Sequence, residues 1–288
     1  MKVKAILFTL VIPIVVSGQI HKKKLSNGAG TMFGYIGYMM SAYGESNINF
    51  VGDGYDFTLS DVRATDEVSY ESFPDEVRPS IVLPEITIKA GYYFRNYWAF
   101  ALGYDRIRYV MDDRNDVRIN GAIDPLLVSN SPWYGIYNGA PTVTDRSTFH
   151  YENDELNFIK AEIIRTDMVY HVGYNNEFVI TSNVGIGLGG IISRTDFNYE
   201  GIHNRGTVSF SGFGAMLTAG LRFEFFRHLF LQSNVHGGFH KQFNVQARHT
   251  ETSGASMNHF YGVGSFDFSI GYLVYIRPIN ACDGCPVW

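Results

Sequence analysis

Two histidines four residues apart, His236 and His240, sit in the stretch LFLQSNVHGGFHKQFNV (229–245), with Gly237 and Gly238 between them. On a helix this spacing stacks both imidazoles on one face and would suit a shared zinc ion. On a strand they also share a face, but about 13 Å apart at about 3.3 Å per residue, too far for one ion. A second pair, Cys282 and Cys285, lies in the closing ACDGCPVW. Redox chemistry from C-x-x-C needs a βαβ setting, and zinc needs two more ligands. Neither context is present, so a local disulfide is the expectation in an oxidising compartment. Serine and histidine hydrolysis has candidates in His150, His249, Thr250 and Ser253, but no spacing ties them to a base and an orienting partner.

The elements that hold these residues decide between the readings. The stretch PEITIKAGYYF (84–94) alternates Ile86, Ile88, Ala90, Tyr92 and Phe94 against Glu85, Thr87, Lys89, Gly91 and Tyr93. This period of two marks a strand with one apolar and one polar or small face. After Arg95-Asn96-Tyr97, WAFALGYDRIRYV alternates in the same way, and so do 156–172, 177–193, 208–225, 229–245 and 260–276. The stretch TMFGYIGYMMSAY (31–43) is strand-like but apolar on both faces, so its orientation is left open. His236 and His240 therefore belong to a strand, opposite Leu229, Leu231, Val235 and Phe239. In the strand from 156, a shift of the apolar face at Ile163-Ile164 predicts a bulge that turns Arg165, Asp167 and His171 inward.

Eight strands result. Short links of three or four residues alternate with long ones at about 44–83, 111–155, 194–207 and 246–259, and the prolines of the mature chain fall outside strand interiors. Strands of 13 to 18 residues exceed globular norms, and an even count with all long links at one end fits a closed barrel crossing a membrane. Aromatics gather at the short turns: Tyr92, Tyr93, Phe94, Tyr97 and Trp98; Tyr170, Tyr174 and Phe178; Phe223, Phe225, Phe226 and Phe230. Such rings suit the headgroup level, here the periplasmic rim. With 19 tyrosines, 22 phenylalanines, 30 glycines and only 18% charged residues, the composition also favours strands and turns. The predicted class is all-β, an eight-stranded antiparallel up-and-down transmembrane β-barrel.

The ends add a route. Lys2 and Lys4 precede the apolar run AILFTLVIPIVV, and Val16-Ser17-Gly18 offers a cleavage site. The run is too short for a membrane anchor and contains Pro13. The expected organisation is a cleaved signal peptide at 1–18, a periplasmic segment at 19–30, the barrel at 31–276 and a periplasmic tail at 277–288. A net charge of −5 argues against a nucleic-acid partner.

Hairpins such as ITIKAGYYFRNYWAFALGY and LRFEFFRHLFLQSNV give the chain, over about residues 30 to 276, an architecture that resembles small eight-stranded outer-membrane barrels of the OmpA and OmpX type. It resembles the PorT-like barrel proteins of Bacteroidota more closely. The resemblance implies a Gram-negative outer membrane, insertion by the barrel assembly machinery and, for PorT relatives, a link to type IX secretion or gliding. Outer-membrane barrels often end on an aromatic residue; Trp288 lies about a dozen residues past the last strand, so Tyr275 is the candidate for that place.

In so narrow a barrel side chains fill the lumen. Lys89, Lys160, Glu162, Arg222, Glu224, His236, His240 and Asp267 are expected there as a paired, structural polar cluster. Were a histidine to bind a metal, Asp267 or Glu224 would be the first co-ligand to test. The link at 44–83 holds nine acids against Arg63 and Arg78, and that at 111–155 eight against Arg114, Arg118 and Arg146. Neither DGYD (53–56) nor DDRND (112–116) matches a calcium loop, so solvated surface is expected, with partner contact or loose divalent-ion binding as the alternative. No cofactor is expected. The predicted function is non-catalytic, structural or partner-binding, with partners at the acidic loops or the periplasmic rim and surrounding outer-membrane lipid. A lipid-modifying enzyme and a narrow small-solute pore are the alternatives.

Overall fold

A computed structural model describes residues 26–66, 85–124, 133–145, 149–173, 177–199, 202–246 and 255–276. The stretch expected to be a signal peptide (1–18), Cys282, Cys285, Tyr174, His249, Thr250 and Ser253 lie outside these residues. Thirteen strands occur among them: β1 (Thr31–Tyr43), β2 (Ser46–Gly52), β3 (Tyr55–Val62), β4 (Ala64–Thr65), β5 (Ile86–Arg95), β6 (Trp98–Met111), β7 (Asp116–Ile123), β8 (Gly135–Val143), β9 (Phe149–Val172), β10 (Phe178–Tyr199), β11 (Ile202–Phe225), β12 (Leu229–Gln246) and β13 (Ser256–Tyr275).

Eight of them close a ring in the order β1, β5, β6, β9, β10, β11, β12, β13, every pairing antiparallel and β13 returning to β1. The closing ladder runs from Thr31 opposite Tyr275 to Tyr43 opposite Val263, so no edge is left along this seam. Gly34 pairs with Ala90, and the partners Leu102, Ala161, Leu188, Ala215, Phe239 and Gly262 lead around to Gly44, whose amide donates to Gly262 O at 3.1 Å. Going from 34 to 44 is a stagger of ten residues, which tilts eight strands by about 40°.

The outer face is the apolar one. Ile36, Leu102, Ile163, Ile186, Leu217, Val235 and Ile270 all point away from the lumen, about half exposed. Lipid tolerates that surface, and the closed ladder satisfies the backbone within it. The chain is thus a transmembrane β-barrel of the outer-membrane kind, with short periplasmic turns. β1, left unoriented by its sequence, turns Met32, Ile36, Tyr38 and Met40 outward and Phe33, Tyr35, Met39 and Ser41 inward.

Several expectations are corrected. No bulge occurs at Ile163-Ile164: Ile163 faces out and Ile164 faces in, beside Phe33, Tyr93, Ala99, Ala101, Phe230 and Leu273. Alternation therefore continues. Arg165 stays outside, its guanidinium donating to Asp167 at 2.8 and 3.1 Å and lying over the Trp98 ring, and His171 is exposed. An apolar residue in an apolar layer of the lumen had mimicked a shift of face. β9 does slip against β10, but at Val169, which the pairing skips. Within the aromatic rim Tyr93 and Phe230 point inward and are fully buried, whereas Tyr92, Phe94, Tyr97, Trp98, Tyr170 and Phe226 are outside.

The long links are not plain solvated loop. β2, β3, β7 and β8 extend the sheet in that order from the extracellular end of β13, where Asn47 to Val51 pair with Phe260 to Ser256. They bring their own core of Ile48, Phe50, Phe57, Leu59, Val117, Ile119 and Ile123, continuous with the upper lumen. Pro141 lies inside β8, contrary to the expectation that prolines avoid strands; β8 is the outer edge of this sheet, the place where a missing N–H does no harm. The link near 194–207 is also shorter than expected, since β10 runs on to Tyr199 and β11 begins at Ile202. In DDRND, Asn115 is buried and donates to Arg63 O at 2.7 Å, which makes this stretch a structural turn.

Candidate functional site

The lumen is where most of the chemistry-bearing side chains converge. Along β5, β6 and β9 the inward positions include Thr87, Lys89, Gly103, Asp105, Lys160 and Glu162. Lys89, Gly103 and Lys160 are cross-strand partners in one row. A Cβ on Gly103 would lie 3.0 Å from Lys160 Cε and 3.4 Å from Lys89 Cε, so the glycine makes room for both lysines. Lys89 Nζ reaches Glu162 Oε2 at 2.6 Å, and Lys160 Nζ reaches Asp105 Oδ2 at 2.5 Å and Glu162 Oε1 at 3.0 Å. Thr87 donates to Asp105 Oδ1 at 2.8 Å. Two cations and two carboxylates, each at most 2% exposed, neutralise one another.

Across the lumen a second network hangs on Asp267. Its carboxylate meets His236 Nε2 at 2.6 Å, receives both Asn234 Nδ2 contacts at 2.9 and 3.1 Å, and accepts from Ser269 at 2.6 Å. His236 Nδ1 is 2.9 Å from the Thr218 hydroxyl, so both ring nitrogens are engaged. Asn234 Oδ1 also accepts from Asn183 and Gln232 at 2.9 Å. Below, Arg222 donates to Gln232 at 2.6 Å and to Tyr93 OH at 3.2 Å, and its guanidinium lies 4.3 Å from the Phe230 ring centre. Tyr93 passes the chain on to Thr166 at 3.0 Å. Tyr35 stands between the two networks, with Lys89 Nζ 5.5 Å over its ring.

The structure thus brings Lys89, Lys160 and Glu162 together, and separately brings His236 together with Asp267. Glu224, beside Ser26 and Thr181 at the periplasmic end, meets neither His236 nor the lysine pair and answers the charge of Arg222 instead. His240 lies four residues further up the strand than His236, its ring tilted against that of Phe158 at 4.8 Å and its Nδ1 3.3 Å from Tyr261 OH. The two histidines contact different partners, and the His236 carboxylate is Asp267 rather than Glu224. Among the described residues no three of the His, Cys, Asp or Glu side chains are placed to hold one metal ion.

Sequence reasoning passed over Asp105, Asn234, Gln232 and Tyr93, which complete these networks. Asp105 was on the small, polar face of its strand, and that parity was the available signal. His150, weighed for hydrolysis, instead pairs with Glu152 at 3.0 Å on the same strand, both nearly buried.

At the periplasmic mouth the residues before β1 close the barrel. Asn27 is buried and donates to Thr166 O at 2.7 Å, its carbonyl accepts from Tyr97 N at 2.9 Å, and Gly30 N donates to Tyr93 O at 2.9 Å. Both ends of the polar lumen are covered, by this segment below and by the aromatic layer of Tyr109, Tyr151, Tyr261 and His259 above. Chemically the arrangement locks neighbouring strands through neutralised, water-excluded pairs.

No family model matches the chain, and no curated protein matches it. Among solved structures it is similar to the outer membrane protein OprG from Pseudomonas aeruginosa, at 10% identity and a TM-score of 0.38 over 88% of this chain and 100% of that one. It is similar to Neisserial surface protein A at 12% identity and 0.35, over 86% and 97%, and to the outer membrane protein AlkL at 9% and 0.40, over 91% and 98%.

Proposed function

We propose that this protein is a non-catalytic, partner-binding barrel, in which the ring is the anchor and the extracellular sheet is the binding element. The observation that carries the reading is the edge of β8, which among the described residues pairs with β7 alone. It ends the sheet order, has no charged residue in GIYNGAPTV, and leaves Ile136 90% exposed. An edge strand offers a row of unpaired backbone groups, which proteins usually blunt with charge; here only Pro141 interrupts it. An extended segment of a partner can add to such an edge as one more strand. Over the extracellular links and strands as a whole the exposed Glu45, Asp53, Asp56, Asp61, Asp113 and Asp116 outnumber the exposed Arg63, Arg114 and Arg118. A positively charged protein segment is therefore the occupant favoured by charge. An accessory role in a secretion or gliding apparatus of the type IX kind, motivated by the likeness to PorT-like barrels, is one form of this function.

The filled lumen favours binding over conduction. A photo-crosslinking residue at Ile136 is expected to capture a protein partner in intact cells, while one at the lipid-facing Leu188 is not. Capture from Leu188 but not Ile136, or stepwise single-channel conductance by the purified barrel, would overturn the reading.

A further inference from the structure

The outer face of β11, β12 and β13 carries an arrangement that partner binding does not use. Lys241 points outward from β12, between Phe239 and Phe243 on its own strand. Its cross-strand neighbours are Phe213 on β11 and Phe260 on β13. Phe210 also faces out, because β11 slips one residue against β10 between Ile191 and Ile192, at the bulge where Gly212 takes a φ of 151°. Ring centres of Phe210 and Phe213 are 5.2 Å apart, those of Phe213 and Phe243 5.9 Å, and those of Phe239 and Phe260 5.8 Å. Four phenylalanines thus flank Lys241 on the lipid-facing surface, and Phe210 packs against one of them. Among the described residues Lys241 makes no ion pair, whereas two other outward cations toward this border, Arg106 and Arg194, lie 2.9 and 3.9 Å from Glu155.

Depth points to what answers that charge. Leu229, the first lipid-facing residue after the periplasmic turn, is twelve residues below Lys241. At about 3.3 Å per residue and a tilt of about 40°, Lys241 stands about 30 Å higher along the axis, just past an apolar band of about 25 Å. An unpaired lysine at that level extends its charge to the headgroups while its stem stays on apolar surface. The extracellular cap nearby is acidic and offers no attraction to a second anion.

We infer that Lys241 and the five phenylalanines form a binding site for a phosphate-bearing lipid of the outer leaflet, with Lys241 on the phosphate and the phenylalanines under the acyl chains. The source is the membrane lipid, since the rings provide a surface only acyl chains would cover.

Native mass spectrometry of the full-length barrel, released from detergent loaded with phosphorylated lipid A, tests the site. The wild type is expected to retain phosphorylated lipid A about tenfold more than the same lipid dephosphorylated, about 1.4 kcal/mol, and to lose that preference as salt is raised. Lys241→Gln is expected to abolish the preference, Lys241→Arg to keep it, and Phe213→Ala with Phe260→Ala to lower retention of both lipids. Unchanged heat-modifiable gel migration shows that each variant is folded. Equal retention of the two lipids by the wild type, an unaltered preference in Lys241→Gln, displacement by inorganic phosphate alone, or a dimer joined through this face would each overturn the assignment.

Discussion

Lys160 shows at the scale of one residue what the lumen does. It is 1% exposed and answers two carboxylates, Asp105 and Glu162, leaving Lys89 to share the second. Lys160→Met strands a buried negative charge, which costs about 3–5 kcal/mol. Lys160→Met combined with Asp105→Asn removes one charge of each sign and is expected to recover most of that loss. Urea midpoints of the refolded barrel in detergent check both; equal midpoints for the single and double variants would mean that charge balance is not what the cluster supplies. The glycines between the two histidines separate in the same way. A Cβ at Gly238 would meet Ala215 O at 2.2 Å, while Gly237 faces open space. Gly237→Ala is expected to leave the midpoint unchanged and Gly238→Ala to lower it. Much of the lumen was legible residue by residue, because a charge on the small-residue face of a long alternating strand has few other places to point. Asp105 escaped because its importance lies in facing Lys160, and cross-strand register is not written in either segment alone.

Among the ring strands β5 is the short one, and the wall is mended where it starts late. Above Ile86 β4 pairs with β6, Ala64 opposite Met111 and Thr65 opposite Val110, and side chains help to close the seam with β1: Arg108 N donates to Glu85 Oε1 at 2.8 Å, Ser41 Oγ to Glu85 Oε2 at 3.1 Å, and Ser41 N to Asp66 Oδ2 at 2.9 Å. Glu85→Ala removes both acceptors from this seam and is expected to lower the urea midpoint of the refolded barrel more than Glu85→Gln, which keeps one of them; equal midpoints would show that these bonds do not hold the wall. Alternation revealed β5 but not where it begins relative to its neighbours, and it failed at Ile164, where an apolar lumen layer imitated a bulge. Period-two reasoning identifies faces well only while one face is polar throughout.

At the scale of the molecule, ring and cap are unequal partners. Ring ladders run from seven residue pairs between β1 and β5 to thirteen between β1 and β13 and more elsewhere, whereas β2 meets β13 over only five, Asn47 to Val51. In a bilayer the closed ladder is obligatory, since an unpaired backbone group there costs several kcal/mol. That requirement imposed the long alternating strands and made the ring readable. The cap obeys no such rule: its strands of seven to nine residues lie among acids and prolines and look like loop. Replacing residues 116–143 by a short turn removes β7 and β8 and leaves every ring ladder intact. It also takes Val117, Ile119 and Ile123 from the shared core, each worth about 1.5–3 kcal/mol when fully buried. The excised protein is expected to keep heat-modifiable migration, to unfold at lower urea than the wild type, and to lose the cross-link made from the β8 edge. If it no longer migrates as a folded barrel, the cap is part of the cooperative unit and the division into anchor and binding element fails; if the cross-link survives from a probe moved to β3, the partner is held by the ring or the inner cap rather than by β8.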